Sequence, residues 1–205
     1  MADDRSSIDD TEGSVIPFGP AADKAAWRAW ARRERAGLDC GFLSEAVRAA
    51  LRTFPPLRHN ATVLTYLPMD QEIDLEPMLE GGLPVHWVVS RTPDEGPLTI
   101  HEITLPLEYN RLGFRQPRES APYVDPHNVD IVLVPGLAFD LYGTRLGRGL
   151  GYYDELLGRM RAGTVFVGVT PAALVADRLP SDDHDIPVHW LASDEGVVGV
   201  AKSAG

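Results

Sequence analysis

The chain has 205 residues, 44% of them hydrophobic, which suits one sizeable core and leaves little room for two full domains. Thirty Asp and Glu against nineteen Lys and Arg give a formal charge of −11, which opposes nucleic acid and anionic membranes as partners. Cys40 is the only cysteine, so an intramolecular disulfide and a Cys-rich metal site are excluded, and a reducing cytoplasmic setting is favoured.

Residues 1–20 carry five acids against one Arg and lack the basic and apolar regions of a signal peptide. They predict an acidic arm without fixed structure, with an ordered arm lying on a partner subunit as the lesser reading, followed by one domain over 21–200 and a short tail over 201–205. Asp23 is placed to cap a helix running to about Ala36, with Gly37 just past its end. Lys24, Arg28, Arg32 and Arg35 fall on one side of that helix, beside Trp27, Ala31 and Leu38. The stripe reads either as a solvated basic face or as a phosphate contact. A second amphipathic helix is predicted from Phe42 to about Thr53, with Phe42, Ala46, Val47, Ala50 and Leu51 as its apolar face and Pro55-Pro56 as its stop.

Short apolar runs then alternate with turn and helix signals. Thr62–Leu67, Val85–Val89 and Leu98–Leu105 read as strands, and Ile73–Leu79 as a short helix. Residues 106–126 read as loop. Asp130–Val134 is a β-branched run suited to a strand buried on both faces. Tyr152–Ala162 reads as helix and Thr164–Val169 as another buried strand. Strand, helix and strand in that order imply a parallel crossover, hence an α/β fold. The longest apolar run, Ile131–Phe139, is interrupted by Pro135-Gly136 and is too short to span a bilayer.

The most unusual stretch is VPGLAFDLYGTRLGRGLGYYD, from Val134 to Asp154. A buried strand ends at Pro135-Gly136, and a loop follows with Gly143, Gly147, Gly149 and Gly151. A helix then opens near Tyr152. Ligands of open α/β sheets bind beyond the carboxyl ends of strands. Glycines admit a ligand close to the backbone, a helix start offers free N–H groups, and Arg145 and Arg148 add forks suited to phosphate oxygens. Neither G-x-x-x-x-G-K-[ST] nor G-x-G-x-x-G is present.

This segment resembles the signature of the 5-formyltetrahydrofolate cyclo-ligase (methenyltetrahydrofolate synthetase) family. The matching positions are Pro135, Gly136, Phe139, Asp140, Gly143, Arg145, Leu146, Gly147, Arg148, Gly149, Gly151, Tyr152, Tyr153 and Asp154. Three further places agree: Lys24 and Arg28 in the first helix, Glu72 in YLPMDQEIDLEPML, and His184-Asp185 in PSDDHDIPV. The resemblance runs from about Asp23 to Val198. It implies a single α/β domain with a mostly parallel sheet flanked by helices, like that of sugar-phosphate isomerases and CoA transferases.

It also implies a reaction: 5-formyltetrahydrofolate and ATP, with Mg²⁺, give 5,10-methenyltetrahydrofolate, ADP and phosphate. Site roles follow from the same resemblance. Lys24, Arg28, Arg145, Gly147, Arg148, Gly149, Gly151, Tyr152 and Tyr153 would contact ATP, with Arg145, Arg148 and Tyr152 at the reacting centre. Glu72, Gln116 and Tyr152 would contact folate, and Asp154 and Asp185 would hold Mg²⁺, a hard cation that prefers carboxylate oxygen. Without the signature, Asp154 reads as an ordinary helix first-turn carboxylate and His184 as a hydrogen-bonded histidine. His86, His101 and His189 read as structural, and Asp140 as a holder of the loop. A monomer or homodimer with small-molecule partners is expected, and a relative that binds folate or ATP without ring closure is the alternative.

Overall fold

The computed structural model describes residues 22–57, 60–69, 71–111 and 113–201. The acidic arm and residues 202–205 of the expected tail lie outside the described residues.

Helix α1 spans Lys24–Ala36 and starts where the Asp23 carboxylate accepts from the Ala26 N–H at 2.8 Å. Helix α2 spans Cys40–Thr53, and Asp39 caps it by accepting from the Phe42 N–H. The strands follow: β1 Thr62–Thr65, β2 His86–Arg91, β3 Thr99–Glu102, β4 Glu108–Tyr109, β5 Arg115–Gln116, β6 Ile131–Pro135, β7 Ala138–Asp140 and β8 Arg145–Leu146. After helix α3, Tyr152–Gly158, come β9 Val165–Val169, β10 Val175–Ala176, β11 Trp190–Ser193 and β12 Gly196–Gly199.

Seven strands form one sheet in the order β12-β11-β9-β6-β1-β2-β3. Its interior is parallel; only the edge pairs β2/β3 and β11/β12 are antiparallel. The predicted crossover is present, with α3 between the parallel neighbours β6 and β9. Alternation along β6 sorts the two faces. Ile131 and Leu133 point to one cluster with Val47 and Leu51 of α2 and its C-cap residue Phe54, while Val132 and Val134 point to another with Leu156 and Leu157 of α3. Each fully buried aliphatic side chain contributes about 1.5–3 kcal/mol. A third cluster packs α1, through Trp27, Trp30 and Ala31, against a small sheet of β10, β7 and β8. The two indoles meet edge to face at 5.3 Å, so they are core residues of this layer.

Several expectations need correction. Phe42 is 74% exposed, because its spacing of five and nine residues from Val47 and Leu51 turns it to the opposite side of α2. The Ile73–Leu79 segment holds only a short 3-10 turn, Glu76–Met78, since Pro77 removes a backbone donor. Residues 106–126 contain the β4–β5 hairpin, whose two-residue strands are too short to show a period in sequence. Helix α3 ends at Gly158 rather than Ala162. The Val134–Asp154 segment is folded back on itself as the antiparallel pair β7/β8.

Candidate active site

Residues that follow the carboxyl ends of three parallel strands meet in one cleft of about 480 Å³: Tyr66, Leu67 and Met69 after β1, Thr92 after β2, and Gly136 after β6. The signature loop closes it from one side and the first turns of α1 from another. All thirteen residues proposed from sequence for nucleotide, folate or metal contact line this cleft. Five cationic side chains and four carboxylates face it, His184 apart.

The loop owes its path to Asp140, which is fully buried. Its Oδ1 accepts from the Tyr142 and Thr144 N–H groups, and its Oδ2 from Leu179 N–H at 2.9 Å. Three amides compensate the buried charge. The reading of Asp140 as a structural residue therefore holds. Gly143 turns with φ +87°, and its carbonyl accepts from Val188 N–H at 2.9 Å. That contact draws the loop against the segment carrying Asp182–Asp185. Gly151, at φ +71°, is the N-cap of α3 and has the left-handed backbone that turns the loop into the helix.

Nearly every charge in the cleft is matched. Lys24 Nζ donates to Asp185 Oδ2 at 2.5 Å and Asp182 Oδ2 at 2.7 Å. Burial lowers the Lys24 pKa, but these two bonds and their charges outweigh it and raise it overall. The same ammonium holds the Asp182 carboxyl below its ordinary range. Arg145 Nη2 donates to Asp154 Oδ2 at 2.7 Å, and its guanidinium lies 5.7 Å from the Tyr153 ring centre. Arg148 Nη2 donates to Glu72 Oε1 at 2.9 Å. Arg28 differs: its Nε donates to the Gly147 carbonyl at 2.9 Å, joining α1 to the loop. So the cleft is built of ion pairs, and an anionic ligand must exchange partners with them.

Two phenols line the same wall. Burial pushes the Tyr153 hydroxyl up to about 12, with the Glu72 charge adding to it and a hydrogen bond to Ser90 opposing it. Burial also raises Tyr66 well above the usual phenol range, again reinforced by Glu72. Both stay protonated at neutral pH. Tyr66 donates to the Ile73 carbonyl. Gln116 is buried at the floor, where its Oε1 accepts from Thr92 N–H and its Nε2 donates to Glu108.

The cationic stripe of α1 divides. Lys24 and Arg28 enter the cleft, Arg32 is exposed, and Arg35 is buried beneath the floor. Among the described residues, Asp182, His184 and Asp185 form a group whose possible ligand atoms lie within 4.8 Å of one another. Asp154 is outside that group and is bound to Arg145. Sequence reasoning did not assign Asp182 a role, although the acidic run in PSDDHDIP was a signal for it. Tyr66, Ser90, Thr92 and Arg115 also line the cleft and carried no motif. His86 pairs with Glu102, His101 with Ala121 O, and His189 accepts from Phe166 N–H, so all three are structural as expected.

The sequence model of the 5-formyltetrahydrofolate cyclo-ligase family matches residues 26–192. The 5-formyltetrahydrofolate cyclo-ligase of Escherichia coli K12 is 30% identical over 154 residues, covering 71% of this chain and 85% of that protein. The Mycolicibacterium smegmatis protein of the same name is 31% identical over 157 residues, covering 68% and 77%. Among solved structures, the 5,10-methenyltetrahydrofolate synthetase of Aquifex aeolicus superposes with a TM-score of 0.76 at 30% identity, covering 89% of this chain and 95% of its own. No helix among the described residues is long and apolar enough to cross a membrane.

Proposed function

The chain belongs to the 5-formyltetrahydrofolate cyclo-ligase family, and from that premise we propose that it closes the folate ring at the expense of ATP. 5-Formyltetrahydrofolate and ATP give 5,10-methenyltetrahydrofolate, ADP and phosphate. The N-formyl carbon is amide-like and a poor electrophile. Transfer of the γ-phosphoryl group to the formyl oxygen makes that oxygen a leaving group. N10 then attacks the carbon and gives up its proton, the C–O bond breaks, and the oxygen departs with the phosphoryl group as hydrogen phosphate. Such chemistry depends on positioning and charge neutralisation more than on a protein nucleophile.

The observation that carries this reading is the convergence of all thirteen matched residues on one cleft beyond the strand ends. In it, Lys24, Arg28 and Arg148 bind the phosphate oxygens, and the loop glycines let backbone amides approach them. Arg145 is held by Asp154 and orders the loop from within. Glu72 and Gln116 orient folate, and Tyr152 and Tyr153 stand where the two substrates meet.

The carboxylate oxygens of Asp182 and of the mostly buried Asp185 suit a hard cation, as does Asp154 in the same cleft. Asp154 and Asp185 would hold Mg²⁺, which would supply charge neutralisation for the nucleotide. The protein works in the cytoplasm as a monomer or homodimer on small-molecule substrates.

The test is direct. Purified protein is mixed with 5-formyltetrahydrofolate, ATP and Mg²⁺, and the methenyl product is followed by absorbance. ATP-dependent product formation is expected. Folate binding without product would replace this reading with that of a binding relative.

A further inference from the structure

Arg35 has no assigned role, yet it sits under the cleft as a buried cation, 4% exposed. Its hydrogen bonds go to main-chain carbonyls. Nη1 donates to Gln71 O at 2.9 Å, and Nη2 donates to Gly136 O at 2.8 Å and Leu137 O at 2.9 Å. These carbonyls belong to two separate walls. Gln71 precedes Glu72 in a tight turn closed by Glu72 N–H to Met69 O at 3.0 Å, with Glu72 Oε2 accepting from Met69 N–H. Gly136 and Leu137 begin the signature loop. Gln71 itself has φ +64°, a backbone state that a non-glycine residue keeps only where its surroundings hold it. The planar fork of arginine can bind three carbonyls at once, and the point charge of lysine cannot.

We infer that Arg35 is a positioning residue for the ring-closing reaction: it fixes the Glu72 turn against the start of the signature loop, and so sets where Glu72 meets folate. It touches neither substrate. The Glu72 carboxylate is also the leading opposite charge acting on Arg35, so the two residues are coupled electrostatically as well as through the backbone. This rests on the proposed role of Glu72 in folate binding.

The experiment uses the full chain and a double-mutant cycle of Arg35→Met and Glu72→Gln, with melting temperature recorded for each variant. Arg35→Met is expected to reduce kcat/KM for 5-formyltetrahydrofolate by about tenfold to a hundredfold, while KM for ATP stays within about threefold. The double variant is expected to be no worse than Glu72→Gln alone, because Arg35 acts through that side chain. Losses that multiply in the double variant, or an equal rise in both KM values, would overturn the inference. If Arg35→Met does not fold, Arg35→Lys takes its place in the cycle, keeping the charge and losing the fork, with the same two outcomes. If the wild-type protein forms no product, the proposed activity fails. The same cycle read as the Kd for 5-formyltetrahydrofolate then still decides the role of Arg35.

Discussion

Arg148 and Glu72, 76 positions apart in the chain, are joined across the cleft by a 2.9 Å hydrogen bond between Nη2 and Oε1. The guanidinium side is 42% exposed and the carboxylate side 7% exposed. The pair links the wall proposed for phosphate to the wall proposed for folate. The arginine is well solvated, and the nearly buried Glu72 carboxylate it leaves keeps its bond from the Met69 N–H, so Arg148→Ala is expected to change stability by no more than about 1 kcal/mol. Turnover is expected to fall on the order of 10²–10³-fold, as when a donor to developing charge is removed. Urea unfolding and the methenyl absorbance assay check the two halves. A wild-type rate would remove Arg148 from the phosphate role.

Asp154→Asn is expected to behave differently. Its partner Arg145 is 7% exposed, so the substitution leaves a nearly buried cation without its carboxylate. A loss of about 1–3 kcal/mol of stability is expected together with the loss of activity. An unchanged urea midpoint would mean that the Arg145–Asp154 pair is not part of what holds the loop.

Gly143→Ala should fail for a steric reason. A Cβ there would lie 2.3 Å from the Val188 carbonyl oxygen, on a backbone already at φ +87°. Neither partner is a flexible side-chain end. Destabilisation of about 2–4 kcal/mol is expected, visible as a lower melting temperature. A variant as stable as wild type would show that the loop can leave the 182–185 segment without penalty.

The fold also carries a pH dependence of its own. His189 stacks on Phe166 with ring centres 5.0 Å apart, and its Nδ1 accepts from the Phe166 N–H, so the bound form is neutral. Burial lowers its pKa below the ordinary 6.5. The sign follows: this contribution is present above the unfolded-state value and is lost as pH falls through the folded one. The wild-type urea midpoint is expected to drop between about pH 7 and pH 5, and His189→Asn, which keeps an acceptor without titrating, is expected to flatten that drop. Parallel profiles for the two proteins would exclude His189 as the source.

What was legible in sequence depended on whether the signal was local. The caps of α1 and α2, the buried strands β6 and β9, and the crossover between them follow from residue type and period. The signature loop pointed to the family and located eight of the thirteen cleft residues, and the other five came from matches elsewhere in the chain. The pairings inside the cleft were not legible, because Lys24 meets Asp185 161 positions away and nothing local marks either as the partner of the other. For that reason the cleft looked like a four-cation pocket in sequence and is a set of ion pairs in three dimensions. Arg35 was misplaced for a related reason. Helical spacing puts it on the same stripe as Lys24 and Arg28, but the carbonyls of Gln71, Gly136 and Leu137 hold it beneath the cleft.

Helix α2 and its C-cap bury Val47, Leu51 and Phe54 with Ala192, and Phe54 meets Trp190 edge to face at 5.2 Å. Among the described residues, Lys24 likewise pairs with carboxylates of the 182–185 segment. During synthesis on a ribosome, the first two helices therefore emerge long before the strands and acids that complete them. An apolar helix face and a cationic helix start remain without these native partners until the final strands leave the exit tunnel. Nucleotide-binding competence should appear late and abruptly, and a stalled nascent chain ending before residue 182 should lack it.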